Sequence, residues 1–552
     1  LQRFSISALK LFWFGFELFM LFFMSIFLYI LFVYLQLSPP KVSDIEVGER
    51  TQVSENHYTL GPNWLKKNKF GVWEMYVEGS DYKRGLVYGK LAKELCQRQE
   101  EIFVGQINDF VPSEFFQEFL KIFIGYFNKD LPNHIPLENQ REIYGISQSF
   151  GDDFDYIGPK YIRHLNYHAA HDIGHALNDY SIVGCTSFAL KGDKTSDGNL
   201  LVGRNFDFYL GDEFAEDKLL LFMKPDKGYG FVSYSWAGFT GVVSGMNEKG
   251  LGVTINASKS DLPTGSKTPI SLLAREILQY ASTLEEAITI ANKRETFVSE
   301  TIMVSSKVDG RSMLIEKSPS KMDVYDPKEQ NQLVCANHYQ SNAFLKDQVN
   351  IDNIKESDSK YRYDRVVELL KENDTITKEI AVAILRNQNA SNNDTLGMGN
   401  PRAVNQLIAH HSTLMEPEAL LFYVSTHDFQ LGKFIGYDLN EVFQRNNFSI
   451  VDTIESDPFL FTDNYQDFKK FKEIKHRISR YLIFGEEIEL TDNEATNFIN
   501  LNSESYVTYE MLARYYKSKG DHDKVVKYAN LALTKKVASP KIRIELSNLK
   551  EN

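Results

Sequence analysis

The chain opens with a long apolar segment. Residues 18–35 carry no charged side chain, and extending this run back to Leu11 adds only Glu17. About 20 helical residues, at ~1.5 Å each, span the ~30 Å hydrocarbon core of a bilayer. Pro39-Pro40 follows the run, where a signal peptide would have a small-residue cleavage site. We predict an uncleaved membrane anchor over residues 11–37, with a cleaved signal peptide as the alternative.

The charges around this segment suggest an orientation. Arg3 and Lys10 precede it, and the acidic residues Asp44 and Glu46 soon follow it. Positive charges favour the cytoplasmic side of a membrane. The predicted localisation is a single-pass membrane protein with its main body on the extracytoplasmic side.

After a polar stretch over residues 41–69, strand and helix patterns alternate in blocks. Residues 70–79 alternate like a strand, and residues 81–99 read as a helix with the small residues Gly85 and Gly89 for close packing. Residues 101–180 are mainly helical in pattern. Residues 185–260 read as strands and turns, and residues 269–291 read as a helical pair with Thr283 as N-cap. Residues 301–317, 321–325 and 411–426 read as further strands. This order predicts an α+β fold.

The last part of the chain differs in kind. Residues 441–552 are charged and mainly helical, and residues 509–533 resemble one tetratricopeptide repeat. One such repeat cannot form a solenoid alone. The sequence does not choose between two interpretations. These helices form either a partner-binding surface or a helical hairpin that packs on the main body.

Composition narrows the class of protein. A length of 552 residues predicts two to four structural units, and 43% hydrophobic residues exclude a largely disordered chain. The net charge of -13 argues against nucleic acid as a partner. Three cysteines are too few for a disulfide framework.

Candidate chemistry collects at predicted strand ends. Gly184-Cys185-Thr186 begins one strand, and Arg204 and Asp207 lie three residues apart on the next. Asn256 ends a later strand, and Asn337-His338 ends another. The sequence therefore places a thiol, a cation, a carboxylate and two amides at the ends of predicted strands.

The order of these motifs resembles the cysteine-type N-terminal-nucleophile (Ntn) hydrolases. It is most similar to the isopenicillin-N acyltransferase (acyl-coenzyme A:6-aminopenicillanic acid acyltransferase-like) family, and more distantly to choloylglycine hydrolases and acid ceramidase. The resemblance covers roughly residues 70–430. It implies a four-layer αββα sandwich, a precursor that cuts its own Gly184–Cys185 bond, and no cofactor.

The resemblance also implies roles for the candidate residues. The new α-amino group of Cys185, with a pKa near 8, would take the thiol proton. Asp207 would hold this group, Arg204 would favour the thiolate, and the amides of Asn256 and Asn337 would bind the oxyanion. A later arginine completes such sites. Here Arg402 and Arg362 are both candidates, with Arg402 included in the predicted set, and His338 is expected to orient its loop.

One helical face carries four histidines. They are spaced four, three and four residues apart, which places them together on a helix: His164, His168, His171 and His175. Imidazoles at this spacing can ligate zinc. The alternative is a packed polar stripe, and no glutamate stands between them as in zinc-protease helices.

We therefore expect a self-cleaving cysteine amidase or N-acyltransferase that forms a thioester with a small-molecule or lipid-like N-acyl substrate. The predicted divisions are a transmembrane anchor (1–40), a helical pro-segment (41–184), the catalytic domain (185–440) and a helical extension (441–552). The competing hypotheses are a membrane-tethered interaction module with an inactive Ntn core and a metal hydrolase built on the histidine helix.

Overall fold

The computed structural model describes residues 17, 19–25, 27–29, 38–111, 113–177, 184–261, 263 and 265–550. The predicted anchor over residues 11–37 lies mostly outside these ranges, and its described part is helical. Within the described ranges, no helix is both long enough and apolar enough to cross a membrane. The anchor stays a prediction.

Two sheets form the centre of the molecule, with strands numbered in chain order. The first has 11 strands in the order β1-β2-β3-β4-β7-β8-β9-β10-β11-β12-β13. Their bounds are β1 (Thr51–Ser54), β2 (His57–Leu60), β3 (Asn63–Lys67), β4 (Trp73–Gly79), β7 (Lys218–Pro225), β8 (Phe231–Trp236), β9 (Ser244–Asn247), β10 (Leu251–Ala257), β11 (Glu300–Ser306), β12 (Arg311–Lys317) and β13 (Met322–Tyr325).

The second sheet has seven strands in the order β14-β5-β6-β15-β16-β17-β18. Their bounds are β5 (Thr186–Leu190), β6 (Leu201–Asp207), β14 (Gln332–Cys335), β15 (Ala409–Glu416), β16 (Leu421–Ser425), β17 (Phe434–Asp438) and β18 (Ile450–Ile454). Neighbouring strands in this sheet are antiparallel.

Helices surround the sheets. Those after residue 80 are α1 (Asp81–Leu91), α2 (Lys93–Phe110), α3 (Glu114–Phe127), α4 (Leu131–His134), α5 (Leu137–Ser147), α6 (Lys160–Leu177), α7 (Ile270–Tyr280), α8 (Leu284–Asn292), α9 (Gln348–Glu356), α10 (Ser359–Lys371), α11 (Lys378–Leu385), α12 (Leu439–Arg445), α13 (Asp463–Phe484), α14 (Asp492–Leu501), α15 (Tyr506–Ser518), α16 (His522–Thr534) and α17 (Pro540–Leu549).

Three apolar cores separate four layers. The core between the sheets contains Phe222 from the first sheet and Phe422 from the second. Because side chains alternate along a strand, the neighbouring Leu221 joins the core beneath α7. The outer face of the second sheet packs against α10 and α11, as Phe188 and Val366 show. The predicted α+β class is confirmed, and the layers run helices, sheet, sheet, helices.

The segment before residue 184 is built into this sandwich. Strand β4 pairs in parallel with β7, with Met75 opposite Leu221. Buried Glu142 on α5 pairs with Arg84 at 2.7 Å and with Arg275 on α7 at 3.4 Å. Removing either arginine would leave the buried Glu142 carboxylate without part of its compensating charge. Breaking a buried ion pair in this way is strongly destabilising. The pro-segment and the main body therefore form one folded unit.

Local sequence signals explain several elements. The predicted helix over residues 81–99 is divided at Ala92, where φ -100° and ψ 22° leave the helical region. A Cβ on Gly85 would lie 2.1 Å from the Glu142 carbonyl oxygen, so glycine is required where α1 crosses α5. Thr283 caps α8 in a capping box with Glu286, as predicted.

Helices α13 to α17 of the extension form a further apolar core, which also includes Leu407, Phe429 and Leu431 of the main body. Helices α15 and α16 form the predicted hairpin, and Gly520 turns between them at φ 75°. The hairpin region is joined to the main body, because the Asn400 side chain donates to the Lys536 carbonyl at 2.9 Å. The second sheet continues to Ile454, beyond the predicted boundary at residue 440, so the extension begins after β18.

Candidate active site

Strand pairing places the candidate thiol beside the end of β6. Thr186 is opposite Asn205, so Cys185, just before β5, lies next to Asp207, the last residue of β6. The Arg204 Nη2 atom donates to Cys185 Sγ at 3.6 Å, and Sγ lies 3.9 Å from the Asp207 carbonyl oxygen. The structure thus brings together three residues that the sequence singled out.

Arg204 is fully buried and connects the two sheets. Its guanidinium donates to the Val243 carbonyl at 2.8 Å, and also to the Ser244 hydroxyl and the Ile255 carbonyl. It also lies 4.4 Å from the ring centroid of Phe206. With hydrogen bonds to three groups besides the thiol, the cation is held in a fixed position beside Cys185.

A buried histidine pair continues this network behind Arg204. Ser244 Oγ accepts from Arg204, so its hydroxyl hydrogen is free to donate to His411 Nε2 at 3.0 Å. His411 then donates from Nδ1 to His410 Nδ1 at 2.8 Å, which assigns both rings as neutral. Burial lowers the pKa of both imidazoles well below the usual value. The pair adds no second positive charge behind the guanidinium.

Burial controls the ionisation of the thiol and the carboxyl group. It raises the pKa of the Cys185 thiol to about 11, while the Arg204 guanidinium acts in the opposite direction. It raises the pKa of Asp207 to about 7, against the lowering effects of Arg362, Gln406 and Arg204. The thiol of the uncut chain is therefore protonated at neutral pH, and Asp207 is about half ionised.

The peptide group at residue 184 is also held in place. Gln406 Nε2 donates to the Gly184 carbonyl oxygen at 2.8 Å and to Asp207 Oδ2 at 2.8 Å. The Gly184 N–H donates to the Asp207 carbonyl at 3.2 Å. Our sequence reasoning missed Gln406, because a glutamine next to an apolar run carries no signal of its own. Gln406 thus forms hydrogen bonds both to the peptide group that is predicted to be cut and to the Asp207 carboxylate.

The two predicted amides lie at neighbouring strand ends. Asn256 accepts from Ser187 Oγ at 2.8 Å, and its Nδ2 donates to the carbonyls of Cys335 and Ala336. Asn337 Nδ2 donates to the Ala257 carbonyl at 2.9 Å. An amide has two N–H groups. Among the described contacts, Asn337 uses one of them, which leaves the second for an oxyanion.

The two arginines considered for this site have different surroundings. Arg362 Nη2 donates to Asn337 Oδ1 at 2.5 Å, and its charge lowers the pKa of Asp207. Arg402 instead pairs with Asp358 at 3.3 Å and donates to the Ala538 carbonyl at 2.6 Å. Arg402 therefore contacts Asp358 and the helical extension, and its place in the site stays a prediction.

His338 has a structural position near this arginine. Its Nδ1 lies 2.7 Å from Ser359 Oγ, and that hydroxyl accepts from the Asn337 N–H at 2.7 Å. Burial, with Lys360 and Arg362 nearby, lowers the pKa of His338 to about 4. A neutral His338 that fixes the loop of Asn337 fits the role expected for it.

The histidine helix is α6, and it packs against the main body. His168 Nδ1 donates to the His164 carbonyl at 2.8 Å, and its Nε2 accepts from the Thr240 N–H at 3.0 Å. Both nitrogens of His168 are therefore engaged within the protein. The side chains of His171 and His175 lie outside the described residues. In the described part of the chain, no group of three or more potential ligands could hold a metal ion.

Comparison with known proteins agrees with the resemblance found in the sequence. Residues 194–398 match the model of the acyl-coenzyme A:6-aminopenicillanic acid acyl-transferase family. The similarity to that acyltransferase family covers this segment of the chain. It contains Arg204, Asp207, Asn256, Asn337 and Arg362, whereas Cys185 precedes it.

A protein of similar sequence also covers part of the chain. An uncharacterized protein of Archaeoglobus fulgidus is 31% identical over 238 residues, which are 40% of this chain and 39% of that protein. The chain thus spans about two fifths of the length of that relative.

Two solved structures are also similar. An N-acylethanolamine-hydrolyzing acid amidase ortholog of Caenorhabditis elegans has 20% identity and a TM-score of 0.30, with 42% of this chain and 93% of that chain covered. A mutant conjugated bile acid hydrolase of Clostridium perfringens has 18% identity and a TM-score of 0.33, with 50% of this chain and 97% of that chain covered.

Proposed function

We propose that this protein cuts its own Gly184–Cys185 bond and then acts as a cysteine amidase or N-acyltransferase. The observation that carries the proposal is the contact of the Cys185 thiol with the buried Arg204 cation at 3.6 Å. The contact lies at the peptide group whose carbonyl Gln406 holds at 2.8 Å. A thiol, a cation and a polarised carbonyl in one place are what an intramolecular acyl shift needs.

In the first reaction, Cys185 Sγ attacks the Gly184 carbonyl carbon and loses its proton. The carbon–nitrogen bond breaks, nitrogen gains a proton, and a thioester joins Gly184 to the sulfur. Water then releases the Gly184 carboxylate and the free thiol. In this step the Asp207 carboxylate, whose pKa burial raises to about 7, would accept the thiol proton.

In the second reaction, the new α-amino group of Cys185 replaces Asp207 as the base. An amine with a pKa near 8 can take the thiol proton and later return it to the leaving amine. Arg204 stabilises the thiolate, and Asn337 offers an N–H to the oxyanion. The resulting thioester is resolved by water in hydrolysis or by a second amine in acyl transfer.

The substrate class follows from the family and remains part of the proposal. A linear N-acyl compound supplies the amide carbonyl that this site would attack. Hydrolysis of N-acylethanolamines, after which the nematode amidase is named, is one such reaction. We include the anchor over residues 11–37 and an extracytoplasmic body in the proposal, on the basis of the uncharged run 18–35.

Trapping the acyl-enzyme tests this function. The mature protein is incubated with a panel of N-acyl amino acids and N-acyl lipids, quenched in acid and digested. We expect the mass of one acyl group on the peptide that begins with Cys185. A chain that self-cleaves but never carries or releases an acyl group would instead be an inactive Ntn core, and the interaction-module hypothesis would replace this one.

A further inference from the structure

Helix α3 exposes an unusual apolar face. At about 100° per residue, Phe115, Phe119, Ile122 and Tyr126 fall within an arc of about 60°. Phe116 and Phe123 widen the arc to about 120°. All six are exposed, and Phe115, Ile122 and Phe119 reach 76%, 69% and 61%. A soluble helix normally turns such a face towards a core.

The rest of α3 is at most partly buried, and Phe127 at its C-terminal end packs against the main core. Among its described residues none is buried, and a polar sector formed by Gln117, Glu118 and Lys121 occupies a different side. Glu118 and Lys121 pair with each other at 3.1 Å. A helix of 14 residues is marginal in water unless an amphipathic face packs against something. The exposed apolar arc therefore requires a partner.

The surroundings of α3 identify that partner. The ring of Tyr126, at the end of the exposed arc, lies 6.1 Å from the ring of Tyr29. Tyr29 belongs to the apolar run 18–35, and its described apolar neighbours are exposed as well. Lys129 Nζ lies 4.5 Å from the Tyr126 ring and 5.6 Å from the Tyr29 ring. Tyrosines with a lysine at the end of an apolar segment are typical of a membrane interface.

The depth of this contact also fits a bilayer. In the predicted span, Tyr29 lies six residues before Leu35, which is about 9 Å along a helix. Interfacial helices bury their apolar face about 5–10 Å into the boundary between headgroups and acyl chains. We propose that α3 docks on the lipid bilayer beside the N-terminal run, with the Phe115–Phe119–Ile122–Tyr126 face in lipid and the Glu118–Lys121 side in water. This inference does not depend on the proposed catalysis, but it rests on the proposed membrane anchor over residues 11–37.

Spin labels on single cysteines test the docking. The three native cysteines are buried, so an introduced exposed cysteine can be labelled, and the parent chain treated in the same way supplies the background. Phe119→Cys and Ile122→Cys place labels on the apolar face. Glu118→Cys, one residue from Phe119 and 63% exposed at its side chain, is the matched control on the polar side.

The full-length chains are reconstituted into phosphatidylcholine vesicles. Relaxation by dissolved oxygen, which concentrates in lipid, is compared with relaxation by a water-soluble nickel complex. We expect oxygen to dominate at positions 119 and 122, at a depth of about 5–10 Å, and nickel to dominate at position 118. Equal nickel access at 118 and 119, or labels at 119 and 122 shielded from both reagents by protein, would overturn the proposal. A chain that does not associate with the vesicles would overturn it as well.

Discussion

Gln406 Nε2 lies 2.8 Å from the carbonyl oxygen of Gly184, the residue on the acyl side of the bond that we propose is cut. The same nitrogen donates to Asp207 at 2.8 Å. One side chain thus polarises the attacked carbonyl and orients the carboxylate that can accept the thiol proton. This contact exists in the uncut chain, so it acts in self-cleavage before it can act in catalysis.

Replacing Gln406 should therefore slow maturation. Loss of a donor to a developing oxyanion typically costs about 10²–10³-fold in rate. We expect Gln406→Ala to slow the appearance of the two fragments by at least about 10²-fold, followed on denaturing gels over time. Gln430→Ala is the matched control, because Gln430 is also buried but donates to the Leu385 carbonyl. Equal cleavage rates in both variants would remove Gln406 from the mechanism.

The two arginines should behave differently. Arg362 touches Asn337 at 2.5 Å and acts on Asp207, whereas Arg402 faces the helical extension. Arg362→Ala should reduce turnover of an N-acyl substrate by about 10²-fold or more, the usual effect of removing an electrostatic contact in a site.

Arg402→Ala should keep turnover within a few-fold and lose about 1 kcal/mol of stability, as expected for a partly exposed ion pair. Steady-state kinetics and urea unfolding measure the two effects. Comparable turnover in both variants would contradict a role in catalysis that belongs to Arg362 and not to Arg402.

Arg204 should set the pH dependence of self-cleavage. Its charge lowers the pKa of Cys185, which burial raises to about 11 in the uncut chain. An opposite charge at this distance typically lowers a pKa by 1–3 units. We expect cleavage to accelerate as pH rises towards 9, and Arg204→Gln to move this profile upwards by at least about one unit. Arg204→Lys, which keeps the charge, should restore part of the shift. A profile that is unchanged in Arg204→Gln would show that the guanidinium does not act on the thiol.

Asp207 should make the precursor less stable as pH rises. Its carboxyl group has a folded pKa of about 7 against an ordinary value of 3.8, so between these values the folded state holds a proton that the unfolded state has lost. Stability therefore falls with increasing pH across this window, by about 4 kcal/mol from this group when the whole shift is counted.

Urea unfolding at pH 5 and pH 8, in a Cys185→Ala background that cannot cut itself, measures the loss. Between pH 5 and pH 8, the free energy of unfolding should fall less when Asp207→Asn is added than it does in the Cys185→Ala parent. An equal loss in both would show that the Asp207 pKa is not raised by folding.

Much of this architecture could be predicted because its signals are local. The Gly-Cys-Thr, Arg-x-x-Asp and Asn-His motifs lie on or beside predicted strands, and their order resembles the cysteine-type Ntn hydrolases. The strands and the helical pair capped at Thr283 follow from periodicity and capping. These patterns locate Cys185, Arg204 and Asp207 without a structure.

Other features depend on contacts between distant segments. The different surroundings of Arg362 and Arg402 depend on where the helical extension packs, because Ala538 accepts a hydrogen bond from Arg402. The pairing of β4 with β7 joins residues 146 positions apart, such as Trp73 and Leu219, and Gln406 reaches Gly184 across 222 positions. Periodicity carries no information about such long-range contacts.

The most direct measurement is intact-mass analysis with N-terminal sequencing of the purified wild-type chain and its single-cysteine variants. The account predicts two polypeptides for the wild type, one of them beginning at Cys185, and a single uncut chain for Cys185→Ala. Cys335→Ala, which removes another buried thiol, should still yield both polypeptides. A Cys185→Ala chain that is still cut before residue 185, or a wild-type chain that turns over N-acyl substrates while residues 184 and 185 stay joined, would contradict it.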